Sequence, residues 1–299
     1  MEELNIYSIK DLENIAGIKA YTIRIWEKRH TILTPDRTAS NIRTYNDSEL
    51  KKLLNVAYLN SNGYKISKIA RMSESELVRN VINVSEKKYE DRTDLELDKI
   101  LRPALRFTES ALKTEMMSFV EEFGFETAYC KYLYMLSERI KILWQTSRLS
   151  RAQGQFADNI IRSIIIVEDS ALDLEIKENA PSFAMLSAIN FNFTENNFLF
   201  YKYVLKKRGF NIIYPGGVIP VSEIFDMYMV KPFEYAVINC NSFDFTEKKV
   251  AYFQNIAKSL MLKKIIFTDF AGPIPHRSEN VLNYCTTPDN FVQFVDSIL

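Results

Sequence analysis

Thr22-Ile23-Arg24-Ile25-Trp26-Glu27-Lys28-Arg29, then Leu33-Thr34-Pro35-Asp36-Arg37-Thr38, is the stretch that decides how the head of this chain folds. Helical spacing puts Ile23 and Trp26 on one face, and Arg24 and Lys28, four apart, on another. Upstream, Ser8 can cap a helix over Ile9–Ile15, and Gly17 supplies a tight turn. Downstream, Thr34 to Asn41 breaks the helical pattern, and Ile42–Tyr45 reads as a short extended piece. Asn46 or Asp47 caps another helix with Leu50, Leu53, Leu54 and Ala57 on one face. Asn62-Gly63 stops it, and Ile66, Ile69 and Ala70 begin one more. Helix, turn, helix, hairpin-like loop and two helices make a winged-helix arrangement.

Residues 6–72 resemble the DNA-binding domain of MerR-family transcriptional regulators. The likeness is carried by Tyr7-Ser8-Ile9-Lys10-Asp11-Leu12, Ala16-Gly17, the Thr22–Arg29 helix and the Leu33–Thr38 run. Asn41-Ile42-Arg43-Thr44-Tyr45 and Asp47-Ser48-Glu49-Leu50 complete it. A recognition helix offers its first side chains to base edges, which makes Tyr21 and Thr22 the candidates for reading sequence. Arg24 and Lys28 suit phosphates or a guanine edge. The resemblance implies that Arg24, Arg43 and Tyr45 clamp the DNA backbone. Trp26 is read as core and His30 as a cap or backbone neighbour. Lys10, Lys19, Arg29, Lys51 and Lys52 are read as a solvated face.

Charge supports the division. Lys plus Arg and Asp plus Glu both number 38 over 299 residues, so any polyanion contact needs local asymmetry. Residues 1–73 carry twelve basic and eight acidic side chains, a basic head on an acidic body.

Residues 75–167 read as helical throughout, with amphipathic segments near 76–90, 94–121, 126–146 and 151–167, a four-helix bundle. The acidic run from Val167 to Asp173 opens a connector. From Pro181 the period changes. Apolar runs Phe183–Ile189, Ile212–Tyr214, Tyr235–Ile238, Ile265–Phe267 and Val281–Tyr284 alternate with helices Glu195–Lys207, Val221–Met229, Glu247–Leu262 and Asp289–Leu299. That alternation predicts a doubly wound, flavodoxin/Rossmann-like parallel sheet. The expected organisation is multidomain: a winged helix-turn-helix over 1–75, a bundle over 76–167, a linker over 168–180 and an α/β domain over 181–299.

Head, bundle and sheet together resemble the cobalamin-dependent MerR-type regulators typified by CarH and LitR, anchored by Arg208-Gly209-Phe210 through Pro215-Gly216-Gly217-Val218-Ile219-Pro220. The resemblance implies a cobalt-ligating histidine in a D-x-H-x-x-G loop, which aligns with Asn192-Phe193-Thr194-Glu195-Asn196-Asn197. Thr194 replaces the histidine, Asn192 the aspartate and Asn197 the glycine, and a hydroxyl is a poor ligand for that site. Trp144 is retained and read as bundle core, but Gly154-Gln155 stands where the regulators carry Glu-His, with Phe156 matching the aromatic after it. Small residues that make room for the nucleotide tail align with Asn239 and Thr268-Asp269. The expectation is a retained scaffold that no longer takes cobalamin, with an aromatic stretch from Phe191 to Tyr203 packed where the corrin would lie.

Two histidines, His30 and His276, argue against a His-rich metal site or a catalytic triad. The cysteines, Cys130, Cys240 and Cys285, are dispersed, pointing to a reducing compartment; Cys240 is read as a small buried residue. There is no GxGxxG and no GxxxxGK[ST] run. The third strand ends Ile238-Asn239-Cys240-Asn241, without a receiver aspartate. With no catalytic residues, no metal, no membrane span and no basic leader, the expectation is a cytoplasmic, non-enzymatic regulator. Its expected partners are double-stranded DNA, bound at a near-palindromic operator, and further copies of itself. The rivals are a cobalamin photoreceptor with a substitute ligand and a protein-interaction adaptor.

Overall fold

The computed structural model describes residues 6–89, 101–172, 179–187, 192–239, 247–269 and 281–299. Cys240, His276 and part of the expected linker lie outside them. The described residues fall into two compact units, one within 1–112 and 136–157, the other within 113–135 and 158–299. Among the described residues no helix is long and apolar enough to cross a membrane.

In the first unit, α1 (Ile9–Ala16) opens on a reciprocal capping box. The Ser8 hydroxyl accepts from the Asp11 amide, and the Asp11 carboxylate accepts from the Ser8 amide at 2.8 Å. Gly17, at φ 68°, ends it in the left-handed region that glycine enters without strain. Helix α2 (Ala20–His30) follows, and Lys28, Arg29 and His30 in its last turn complement the negative end of its dipole. Strands β1 (Asp36–Arg37) and β2 (Arg43–Thr44) form an antiparallel hairpin, the wing. Asn46 caps α3 (Asp47–Ser61) by accepting from the Glu49 amide. Short α4 (Ile66–Ile69) and long α5 (Glu74–Tyr89) follow. Leu12, Ile23, Trp26, Leu50, Leu53 and Val56 are buried together as the core of the head. On α3 the buried face includes Asn55 and Val56, whereas Leu54, expected on that face, is half-buried.

The expected continuous helix over 94–121 is interrupted. Residues 101–105 are helical, then Phe107 turns left-handed at φ 53° before α6 (Glu109–Phe123). The Thr108 amide bonds the Pro103 carbonyl and the Phe107 amide bonds that of Ala104, a Schellman ending built without glycine. The Phe107 ring meets Phe156 edge-on at 5.4 Å, which offsets the left-handed cost. Helix α7 (Phe125–Ala128) and a π-turn at Tyr129–Leu133 lead into α8 (Tyr134–Gln145). Ser150 and Gln153 cap α9 (Arg151–Ala171) reciprocally. That helix runs past the expected stop at 167 because Asp169 accepts from Lys202 at 2.8 Å and the Asp169 carbonyl from Lys206.

The second unit is built on a parallel five-stranded sheet of β3 (Ser182–Ser187), β4 (Asn211–Ile213), β5 (Tyr235–Asn239), β6 (Lys264–Thr268) and β7 (Leu282–Cys285). The order is β4-β3-β5-β6-β7, the flavodoxin-like arrangement 2-1-3-4-5. Strand residues alternate between faces. Ala184, Leu186, Ala236, Ile238, Ile265 and Phe267 pack with α11 (Ile224–Val230) and α12 (Glu247–Ser259). Helices α10 (Asn192–Lys207) and α13 (Pro288–Asp296) pair with each other, and Tyr201 meets Phe291 at 4.4 Å. The sheet expected from the apolar runs is therefore present, with bounds shifted by a residue or two. The helix expected from Val221 begins as one 3-10 turn, Val221–Glu223, after Pro220.

Candidate nucleic-acid interface

Helix α2 has two sides. Ile23 and Trp26 are buried in the head, so Trp26 is core. Tyr21, at the start of the helix, is 72% exposed, Arg24 and Lys28 are exposed, and Thr22 is half-buried beside them. Four of the six residues expected at DNA thus share one helix, Tyr21 and Thr22 at the end that a groove-reading helix presents to base edges and Lys28 in its last turn.

Glu27 ties the wing to that helix. Its carboxylate accepts from Arg43 Nε at 3.0 Å and from the Tyr45 hydroxyl. Glu27 is nearly buried, 9% exposed in its side chain, while Arg43 keeps 34% exposure. Tyr45 is 2% exposed, so its ring is core and its hydroxyl faces Glu27. Burial first, then the Glu27 carboxylate, pushes its phenol well above the ordinary range. Behind it, Tyr7 and Tyr45 exchange both backbone hydrogen bonds, and Tyr7 donates to Asp47 at 2.7 Å. At the wing tip Asn41, at φ 62°, accepts from Arg37, which stiffens the hairpin. Glu27 escaped the reading of the sequence as an anchor. An acid inside an otherwise basic helix face was the available signal.

Residues 7–76 match the MerR HTH family regulatory protein description. The MerR-type head is 35% identical over 66 residues to the HTH-type transcriptional repressor CarH of Myxococcus xanthus, 22% of either chain. It is 27% identical over 73 residues to the HTH-type transcriptional regulator MlrA of Escherichia coli strain K12, 24% of this chain and 30% of that one. The matched stretch spans less than a third of these relatives. Among solved structures, the methanol:cobalamin methyltransferase complex MtaBC of Methanosarcina barkeri is similar over 80% of this chain and 91% of that one. Identity there is 10% and the TM-score 0.32. A cobalamin-binding protein from Desulfitobacterium hafniense DCB-2 is similar over 68% and 98%, at 12% identity and TM-score 0.33. At these scores the likeness says nothing of what this chain binds.

Behind the MerR-type head, the positions aligned with a cobalamin site can be tested against the residues present, and they do not fit it. Thr194 lies in the first turn of α10 and offers no imidazole. Asn197, where the family has glycine, is buried and bridges two groups within the second unit. It accepts from the Tyr129 hydroxyl at 2.8 Å and donates to Asp269 at 2.7 Å. Tyr201 donates to the same Asp269 oxygen at 3.2 Å. Asp269 keeps a glycine-like backbone, φ 54°, but fills the space with its side chain. Burial raises the Tyr129 and Tyr201 phenols well above their usual range.

Phe198, Phe200, Tyr201 and Tyr203 of α10 are buried and packed. Phe200 stacks on Tyr129 at 4.0 Å, and Tyr203 meets Phe125 edge-on at 4.7 Å. In the first unit Trp144 is buried, with Lys51 Nζ 5.7 Å from its ring centre. Gly154 is also buried, and a Cβ there would sit 3.2 Å from Ile140, so the Ile140 side chain would have to give by a few tenths of an ångström to admit the regulators' glutamate. Gln155 is half-buried. Among the described residues no His, Cys, Asp and Glu cluster could hold a metal ion. Cys130 and Cys285, pushed up to about 12 by burial, are poor nucleophiles.

At the carboxyl edge of the sheet Ser187, Asn239, Thr268 and Cys285 are register partners across four strands. Asn239 and Thr268 are fully buried, and neither amide atom of Asn239 nor the Thr268 hydroxyl has a partner among the described residues. They lie at and next to the switch between β3 and β5, where α/β sheets take ligands.

Proposed function

We propose that this protein is a transcriptional regulator. It binds a near-palindromic operator as a dimer or higher oligomer through the MerR-type head, and it is not an enzyme. The observation that carries the reading is α2, with one face buried, Tyr21, Thr22, Arg24 and Lys28 on the other, and the wing locked to it through Glu27. In this reading Tyr21 and Thr22 meet base edges, Arg24, Lys28 and Arg43 meet phosphates, and Tyr45 positions Arg43 from inside the head. Dimer symmetry follows from half-site geometry. We divide the chain as head 1–75, helical part 76–167, connector 168–180 and sheet domain 181–299.

The sheet domain serves oligomerisation or senses a ligand other than cobalamin. Sensing is favoured by Asn239 and Thr268, buried at the sheet's carboxyl edge and without a partner among the described residues. The deciding experiment is a gel shift of the full chain on duplex from upstream of its own gene, with random duplex as competitor. A shift that survives random competitor supports regulation, and binding no stronger than to random duplex leaves the adaptor reading. Incubation with adenosylcobalamin, then desalting, is expected to leave no corrin absorbance. Retained, light-sensitive absorbance promotes the photoreceptor reading.

A further inference from the structure

The first unit holds a cavity of about 170 Å³ between α3, α5 and the end of α8. Two buried side chains line it with a polar atom each and no partner among the described residues, Asn55 Oδ1 and Gln145 Nε2. Asn55 is 3% exposed and Gln145 8%. The Asn55 amide cannot be turned round, because its Nδ2 donates to the Gln145 backbone carbonyl at 3.1 Å, and a carbonyl only accepts. The cavity therefore presents one fixed acceptor and one donor. Native interiors rarely leave such groups unpaired, and each exception calls for a water, an ion or a ligand.

The walls restrict the ligand further. Lys51 and Lys52 are balanced among the lining residues by Asp47 and Glu74, so the lining carries no net formal charge. Leu77 and Val78 of α5 add an apolar wall. The volume is close to the roughly 150 Å³ that takes up one six-membered ring. We propose that this cavity binds a small uncharged molecule with an amide or lactam edge, whose N–H donates to Asn55 Oδ1 and whose C=O accepts from Gln145 Nε2. It lies in the same unit as the MerR-type head and shares Asp47 with the Tyr7–Tyr45 bridge behind the wing. That continuity makes it a place where a metabolite could bias DNA binding.

The test reads binding on the protein itself, so it stands apart from whether the head binds an operator. Isotope-labelled full-length protein is titrated with uracil, with pyrrolidone and with N,N′-dimethyluracil, which keeps the ring and loses the N–H donors. Side-chain amide resonances are followed, that of Gln145 being assigned by its loss in Gln145→Met. Uracil or pyrrolidone is expected to shift the Asn55 and Gln145 resonances saturably, with a dissociation constant on the order of 1 mM or tighter. Dimethyluracil should not. Gln145→Met should weaken binding about tenfold by stranding the ligand carbonyl. Ser48→Trp, on the solvent side of α3, should close the cavity and abolish binding without depending on the Gln145 variant folding. No saturable shift with either donor probe overturns the proposal, and so does equal binding of dimethyluracil. Undiminished binding by Ser48→Trp overturns the location.

Discussion

Tyr45→Phe removes one oxygen from the head and leaves the ring in place. The lost hydroxyl is the donor to Glu27, a carboxylate with 9% exposure that also holds Arg43 at 3.0 Å. A hydrogen bond to a charged group contributes about 1.5–3 kcal/mol, and Glu27 keeps its Arg43 partner, so the lower end applies. We expect a loss of about 1.5 kcal/mol, a drop of about 3–6 °C in the transition that includes the head. Calorimetry with urea titration followed by tryptophan fluorescence measures it, since Trp26 lies in the same core. Operator affinity should fall modestly, with an unchanged salt slope, because no cationic phosphate contact is removed. A variant as stable as wild type, within about 0.3 kcal/mol, that binds operator tenfold more weakly would refute the reasoning. Its hydroxyl would then serve DNA directly.

Arg43→Ala should weaken cognate and random duplex about equally and lower the salt slope by about 1, as read by fluorescence anisotropy across a salt series. Tyr21→Ala and Thr22→Ala should instead relax sequence preference in a binding-site selection, and a uniform loss would count against their base-facing role. Thr194→His alone should not confer corrin absorbance after desalting, because Asn197 and Asp269 still occupy the space with side chains and a Tyr hydroxyl. Gly154→Glu should cost about 1–3 kcal/mol in a denaturant titration, since it presses a Cβ against Ile140 and starts a carboxylate side chain from a buried position. The fold should lose stability above pH 9, tracked by circular dichroism. Half-buried Cys130 and buried Cys285 have thiols raised to about 12, as are the Tyr7 and Tyr58 phenols. A raised value favours the fold below the unfolded group's pKa, and that advantage drains away as pH climbs from 9 toward 12.

The sheet was legible because buried parallel strands advertise themselves as short apolar runs, and the turns between them carry glycine or proline. The head was legible because an ordered motif fixes helix, wing and cap together. What the sequence did not disclose were helix ends made by residues with side chains. Phe107 and Ser147 turn left-handed at φ 53° and 60° to close Schellman endings, and no glycine marks either place. Their cost is met by tertiary contacts, Phe156 against Phe107 and Lys51 against Ser147 at 3.2 Å, which only the folded chain brings together. Tyr45 shows the same limit at the site. Its motif position groups it with Arg43, and only the fold shows that Arg43 keeps 34% exposure while Tyr45 is 2% exposed.

A pocket that has lost its ligand leaves polar lining and empty volume, both destabilising, so the sequence must drift toward filling them. In the second unit the side chains at positions aligned with a cobalamin site bond to one another. Asn197 pairs its oxygen with Tyr129 and its nitrogen with Asp269, and Asp269 also takes Tyr201. Four side chains satisfy one another where the family's pattern has a glycine and a close backbone approach. Phe200 and Tyr203 then bury their rings against Tyr129 and Phe125. Each of these groups would be left unpaired or uncovered if a corrin entered, so reopening the site requires breaking a satisfied network, not supplying one ligand. Among the described residues Asn239 and Thr268, at the switch end of the sheet, are fully buried and unpartnered, and buried polar groups of that kind call for a water, an ion or a ligand.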